Sequence, residues 1–339
     1  MDSKFKHRTI RSLVAKLASV SPQTRLDALC ELRLMSKQHP ETRPVIAESG
    51  AIPFLTDALY SPSHASQDNA SATLLNISIT AKEPIISTRS VLDAISHALS
   101  RHNHNPSSSP SAVQSCAATL HSLLLVDAYR PIIGSKRDIV HALVDIVRTA
   151  KSPTRSIKDA LKALFGIALH PLNRPGMIEL GAVESLFGLI SRDGRVGIWE
   201  DATAVIAQIA GCEESEAAFR EVSGMGVLVD VLMEDSISGV RSLKTKENAI
   251  SGLLNLVRCG GERVAMDLRV RGLEVFDGIA EVEEKGSAKG KMKAAALMDV
   301  LLDDGSHGST PSGDSSSASG SKVLFVYLDI NECFINETS

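Results

Sequence analysis

Apolar residues recur in a fixed register along the chain. An alanine is followed by apolar residues four and seven positions later at Ala28-Leu32-Met35, Ala70-Leu74-Ile77, Ala160-Leu164-Ile167, Ala202-Ile206-Ile209 and Ala249-Leu253-Leu256. A weaker copy stands at Ala294-Met298-Leu301, and another starts at Ala117, with His121 second and Leu124 third. This spacing puts three side chains on one face of a helix. The leading alanines, at 28, 70, 117, 160, 202, 249 and 294, step by 42, 47, 43, 42, 47 and 45 residues. A small residue at the head of each stripe lets a neighbouring helix come close, where a long side chain would hold the two apart.

Each such helix is preceded by a second amphipathic segment. Gly50-Ala51-Ile52-Pro53-Phe54-Leu55 leads to Leu59, and Gly181-Ala182-Val183-Glu184-Ser185-Leu186 leads to Ile190. Related runs cover residues 91–99, 139–147, 225–232 and 273–279. A third, shorter element reads Arg43-Pro44-Val45-Ile46, Glu83-Pro84-Ile85-Ile86, Arg130-Pro131-Ile132-Ile133 and Arg174-Pro175-Gly176-Met177-Ile178. Its prolines step by 40, 47 and 44 residues, in phase with the alanines. Proline suits the start of a helix, where a missing N–H costs nothing. Gly50 and Gly181 stand where the chain must turn sharply into the second helix.

The predicted unit is therefore a short helix, a bend and two longer antiparallel helices. Units of this length and content resemble the armadillo/HEAT class. The fold expected is all-α, an armadillo-repeat right-handed superhelical solenoid, because one unit cannot bury its own apolar faces and must stack. The repeat array is placed at residues 10–302, with a partial helix pair at residues 10–36 and about five full units after it. Residues 1–9 are read as an N-terminal tail. Residues 303–321 are a Ser/Gly-rich linker whose composition supports no core. Residues 322–339 form an apolar, strand-like C-terminal tail with no place in the repeat.

Composition narrows the function classes. Hydrophobic residues make up 43% of the 339, enough for a core and too many for a globally disordered chain. Aromatic residues at 4% are too few for a base-stacking nucleic-acid binder, and a net charge of −4 gives no general pull toward phosphate backbones. No apolar run approaches the roughly 18 residues of a membrane span, and the N-terminus lacks the pattern of a secretory signal. Cys30, Cys116, Cys212, Cys259 and Cys333 are odd in number and widely spaced, which suits small buried thiols in a reducing compartment rather than a disulfide framework or zinc site.

Searching for chemistry returns little. Gly286-Ser287-Ala288-Lys289-Gly290-Lys291-Met292 lacks the spacing of a phosphate loop and reads as a basic turn before a helix. His102 and His104 lie in a polar loop with no cysteine or carboxylate beside them, a poor metal site. His121 sits on a core stripe and is read as a buried, hydrogen-bonded histidine. Trp199 is assigned to packing between repeats. No catalytic residue, cofactor or metal site is expected.

A stack of such units makes a concave groove lined by the third helices. Counting i, i+3, i+7 from the residue before each alanine gives Asn69-Ala72-Asn76, Cys116-Thr119-Leu123, Asp159-Lys162-Gly166, Asp201-Ala204-Gln208 and Asn248-Ser251-Asn255. Small and polar residues leave room for an extended peptide and supply amides to its backbone. The candidate groove residues are Asn69, Asn76, Asp159, Lys162, Asp201, Gln208, Asn248 and Asn255; bridging neighbouring repeats is their alternative role.

Ile10-Arg11-Ser12-Leu13-Val14, Ala28-Leu29-Cys30-Glu31-Leu32-Arg33-Leu34-Met35, Ile46-Ala47-Glu48-Ser49-Gly50-Ala51-Ile52-Pro53-Phe54-Leu55 and Asn69-Ala70-Ser71-Ala72-Thr73-Leu74-Leu75-Asn76-Ile77-Ser78 resemble the armadillo repeats of plant U-box ubiquitin ligases, as does Lys246-Glu247-Asn248-Ala249-Ile250-Ser251-Gly252-Leu253-Leu254-Asn255-Leu256. The resemblance covers residues 10–302. Family ligases carry a U-box before the repeats; here the repeats begin almost at Met1. The resemblance implies a noncatalytic module that selects protein partners or ligase substrates in ubiquitination, in the cytoplasm and/or nucleus. Its alternative is a share in a functional U-box ubiquitin-protein transferase, as a fragment, isoform or partner of a full-length relative. A nuclear-import-type cargo adaptor is a weaker alternative, because the middle groove positions carry Ala72, Thr119, Lys162, Ala204 and Ser251 instead of tryptophan.

Overall fold

Short helices with apolar stripes can bury those stripes only against one another, and the chain does so in series. The computed structural model describes residues 3–100, 109–233 and 242–303. An opening pair, α1 (Ser3–Leu17) and α2 (Pro22–Gln38), is followed by three-helix units. These are α3 (Thr42–Glu48), α4 (Ala51–Ala58) and α5 (His64–Thr80); then α6 (Lys82–Ile86), α7 (Val91–Ser100) and α8 (Pro110–Leu124); then α9 (Arg130–Gly134), α10 (Arg137–Arg148) and α11 (Thr154–Ala168). The fourth unit is α12 (Arg174–Glu179), α13 (Ala182–Arg192) and α14 (Val196–Ile209). The fifth begins with α15 (Ser215–Glu221) and α16 (Gly224–Met233) and ends in α17 (Leu243–Val270); α18 (Leu273–Lys285) and α19 (Ala288–Leu302) complete the array. No strand occurs among the described residues.

Six full units are present among the described residues, one more than expected. The reason lies in α17, which breaks at Gly261, where φ is 61° and ψ −149°. Its first part is the third helix of the fifth unit, and its second part is the short helix of the sixth. No proline marks that last short helix, so the sequence pattern passes over it. Residues 3–9, read above as a tail, are the opening turns of α1. Met1–Leu302 forms one compact unit. The linker and tail assigned to residues 303–321 and 322–339 lie, apart from Asp303, outside the described residues.

Successive third helices α2, α5, α8, α11, α14, α17 and α19 pack side by side; among the second helices α4, α7, α10 and α13 pack in turn, as do α16 and α18. The leading alanines Ala28, Ala70, Ala160, Ala202, Ala249 and Ala294 are all buried at these contacts. In α8 the register is shifted by one residue. Cys116, Leu120 and Leu123 are the buried triplet, and His121 is only half-buried. Cys116 is small enough to replace the leading alanine, which the run Cys116-Ala117-Ala118 conceals.

Local signals set the helix ends. Ser21, Ser63 and Ser242 cap α2, α5 and α17 by accepting the N–H of the residue three further on, at 3.3, 3.4 and 3.3 Å. Gly50 and Gly181 enter the second helices at φ of 80° and 79°, a left-handed conformation that favours glycine. The Arg-Pro pairs have a second use. Arg43, Arg130 and Arg174 donate Nε–H to the carbonyls of Ser36, Leu124 and Ala168, at 2.9, 3.2 and 2.9 Å. Each thereby satisfies a carbonyl left open at the end of the preceding third helix.

Candidate functional site: the face of the third helices

Because the third helices share one register, equivalent residues form rungs across them. Taken from the buried leading residue, the middle positions are Cys30, Ala72, Ala118, Lys162, Ala204, Ser251 and Ala296. The corrected register of α8 replaces the expected Cys116, Thr119 and Leu123, which are buried in the core, by Ser115, Ala118 and Ser122. Thr119 donates to the Ser115 carbonyl at 2.7 Å as Thr73 does to the Asn69 carbonyl at 2.6 Å, and this fixes the alignment.

The amides predicted to meet a ligand are engaged inside the chain. Asn69 donates to the Ala65 carbonyl at 2.7 Å and to Cys30 Sγ at 3.3 Å, and its Oδ1 accepts from Arg33 at 3.3 Å. Asn76 donates to Ser36 Oγ at 3.0 Å. Asn248 donates to the Glu200 carbonyl at 3.1 Å and to Thr203 Oγ1 at 3.2 Å, and Asn255 donates to the Ala207 carbonyl at 2.8 Å. In α8, Ser122 donates to the Ser78 carbonyl at 2.9 Å. These side chains bridge third helix to third helix, the alternative role given to them above. At the equivalent place in α11 stands Gly166, where a Cβ would lie 2.8 Å from Leu124 Cβ; α11 and α8 pack tightly there because no side chain intervenes.

The remaining four candidates gather on α11 and α14. Asp201 and Gln208 are each 6% exposed. Asp201 Oδ2 and Gln208 Nε2 are buried without a hydrogen-bond partner, while Gln208 Oε1 accepts from Arg174 at 3.4 Å. Burial pushes the Asp201 carboxyl up to about 6, against the pull of Lys158, Lys162 and Lys244. The carboxyl of Asp159 is also raised by burial, with Lys162, Arg155, a hydrogen bond from Gln114 and Lys158 acting in opposition. Lys162 is half-buried and makes no hydrogen bond or ion pair with a described residue, and the same holds for Lys158. Lys158 Nζ lies against the first turn of α14, 3.3 Å from where a Cβ on Gly197 would be. From the other side Lys244 pairs with Glu200 at 3.8 Å.

His121 joins this cluster instead of the core. No described residue hydrogen-bonds to it, and burial, with the Lys162 charge, lowers its imidazole to about 4. Lys158, Lys244 and His121 were not among the candidates. Lys158 was within reach of sequence reasoning, since it stands one turn before Lys162.

Other predicted features resolve simply. Ser287 caps α19, accepting the Gly290 N–H at 3.0 Å. Its own N–H and hydroxyl donate to the Glu247 carboxylate at 2.5 and 2.8 Å, so a carboxylate of the chain already sits at the turn compared with a phosphate loop. Trp199 is buried and donates Nε1–H to the Asp193 carbonyl. Cys30, Cys116, Cys212 and Cys259 are free thiols; Cys116 is buried, Cys259 exposed and the other two half-buried. Burial pushes the Cys116 and Cys212 thiols up to about 12. His102, His104 and Cys333 lie outside the described residues. No helix among the described residues is long and apolar enough to cross a membrane.

The array has relatives. Residues 9–276 match the plant U-box protein ARM repeat region. U-box domain-containing protein 16 of Arabidopsis thaliana is 32% identical over 274 residues, covering 80% of this chain and 38% of the relative. U-box domain-containing protein 1 of Medicago truncatula is 32% identical over 295 residues, covering 86% of this chain and 40% of the relative. The chain thus spans about two fifths of the length of these relatives. Among solved structures, one from work on a phosphorylation switch controlling the interaction between cadherin and beta-catenin superposes with a TM-score of 0.71 at 18% identity, covering 89% of this chain and 54% of that one. An engineered protein superposes with a TM-score of 0.60 at 21% identity, covering 74% and 97%. With three-helix units, nested alanines and a match over most of its length, the chain belongs to the family of plant U-box protein ARM repeat regions.

Proposed function

We propose that the chain is a noncatalytic interaction scaffold that selects a protein partner or ligase substrate along the face of its third helices, within protein ubiquitination in the cytoplasm and/or nucleus. The observation that carries this reading is the row of middle positions Ala72, Ala118, Lys162, Ala204 and Ser251 on successive third helices, four of them small and so able to admit an extended chain. Family membership supports the link to ubiquitination, since the relatives are named for their U-box domains. Proximity labelling in plant cells would supply the partners. Filling the strip with Ala118→Trp should abolish their binding while the circular dichroism of the full chain is unchanged. Binding that survives in the folded variant would refute the role of this face. Imaging of a fluorescent fusion tests the compartment.

A second reading is a share in a functional U-box ubiquitin-protein transferase, favoured by relatives more than twice as long as the region matched. Incubating the pure chain with ubiquitin and its activating and conjugating enzymes separates the two. The scaffold reading expects no transfer of ubiquitin, and autoubiquitination would overturn it.

A further inference from the structure

We propose that the partner segment lying across α8, α11 and α14 is acidic, with a carboxylate or phosphate side chain seated on Lys162 and Lys158. This deepens the scaffold reading and rests on it. Lys162 is the one charged residue at the middle positions of the third helices. Its flanking positions on the adjacent helices are Ala118 and Ala204, small residues that leave a side chain of the partner room to descend onto the ammonium group.

Within the described residues these charges meet only the longer-range pull of Asp159 and Asp201. Lys158 and Lys162 share one face of α11 a single turn apart, an arrangement of like charges that disfavours the helix. Both are half-buried, and neither pairs with a described residue. Neither of these carboxylates is fully exposed to an incoming chain. Asp201 is more than nine-tenths buried, and Asp159 is held by Gln114. On the other rungs the donors are spent, because Asn69, Asn76, Asn248 and Asn255 bond within the chain. Apart from the buried Gln208 Nε2, the lysines are therefore the donors of this face left without a hydrogen bond among the described residues, and charge complementarity selects an anionic occupant.

The test is selection from a randomised 12-residue phage-displayed library on the full chain at physiological salt, repeated on Lys158→Gln/Lys162→Gln and on Ala118→Trp. The expected result is a motif enriched in Asp and Glu that is lost in both variants. Synthetic copies should bind roughly tenfold or more weakly to the double Gln variant, and Lys158→Glu/Lys162→Glu should reverse the preference toward Lys-containing peptides. Replacing Glu by phosphoserine in the synthetic peptide tells carboxylate from phosphate recognition. A basic or neutral motif that disappears with Ala118→Trp would overturn the acidic assignment and leave the scaffold reading standing. Motifs enriched equally on Ala118→Trp and on the parent chain would overturn both.

Discussion

The Asn255 amide donates to the Ala207 carbonyl at 2.8 Å and so ties the third helix of the fifth unit to that of the fourth. The carbonyl lies in the last turn of α14, where the Ala210 N–H turns to Ile206 and the Gly211 N–H to Gln208. Ala207 is thus a helix-end acceptor that the next unit satisfies. Asn255→Ala removes the donor and leaves a buried carbonyl unpaired. The expected loss is about 1–3 kcal/mol of stability, read as a lower urea midpoint with an unchanged slope. Full stability in the variant would show that water replaces the amide at no cost.

Arg174 makes the same kind of closure with a charged group. Its Nε–H and one terminal N–H donate to the carbonyls of Ala168 and Gly211 at 2.9 and 3.0 Å, and the other terminal N–H points to Gln208 Oε1 at 3.4 Å. A planar fork can reach three acceptors on two helices; an ammonium cannot. Arg174→Lys keeps the charge and should still destabilise by about 2 kcal/mol or more. Chemical denaturation monitored by circular dichroism checks it, and a loss below ~0.5 kcal/mol would mean that charge alone matters at this site.

Asp201 and His121 give stability opposite pH dependences. The folded carboxyl of Asp201 is raised to about 6, so it takes up its proton more readily folded than unfolded. Its contribution is fully present below the unfolded pKa near 4 and is lost as pH rises through about 6. His121 is lowered to about 4, so its contribution is present above the unfolded pKa near 6.5 and is lost as pH falls through about 4. Asp201→Asn should raise stability at pH 7–8, on the order of 1–3 kcal/mol, and His121→Gln should flatten the loss on acidification. Urea titrations across pH 4–8 test both signs. An Asp201→Asn variant whose pH profile coincides with the parent's would disprove the burial effect.

The course of the array is legible in the sequence because the devices that build it are local and periodic. Ala70-Leu74-Ile77 sets a helical face, Arg174-Pro175 starts a short helix, and Gly181 allows the turn that follows. What escaped was nonperiodic or relational. Cys116 replaces an alanine beside Ala117, so either residue can head the stripe, and only packing of α8 between α5 and α11 decides. The second part of α17 follows Gly261 without a proline to announce it. For the face itself, composition identified amides on the rungs but not their use. An asparagine poised for a ligand and one bridging two helices are the same letter, and only the structure shows that Asn76 and Asn255 each form such a bridge. Lys162 was picked out by position, whereas the absence of a hydrogen bond or ion pair to it among the described residues is visible only in three dimensions.

Gly166 sits at a tight contact of α11 with α8, and a methyl group there should be harmful despite the usual preference of helices for alanine. Gly→Ala in a helix interior stabilises by up to ~1 kcal/mol through backbone entropy. Against this, the new Cβ would sit 2.8 Å from the Cβ of Leu124, a buried residue of the facing helix. A Cβ is fixed by the backbone and cannot rotate away, so relief requires the helices to separate. Overpacking of this kind typically costs about 1–3 kcal/mol, and the net effect of Gly166→Ala should be a loss. The second partner sharpens the test. Leu124→Ala keeps the offending Cβ and should not rescue Gly166→Ala, whereas Leu124→Gly removes it and should relieve the overlap, leaving only the cavity penalty of the lost leucine. A double-mutant cycle with both substitutions at Leu124 therefore separates backbone-level crowding from ordinary side-chain packing. Equal coupling energies for the two would rule out a Cβ–Cβ conflict as the reason for glycine at this position.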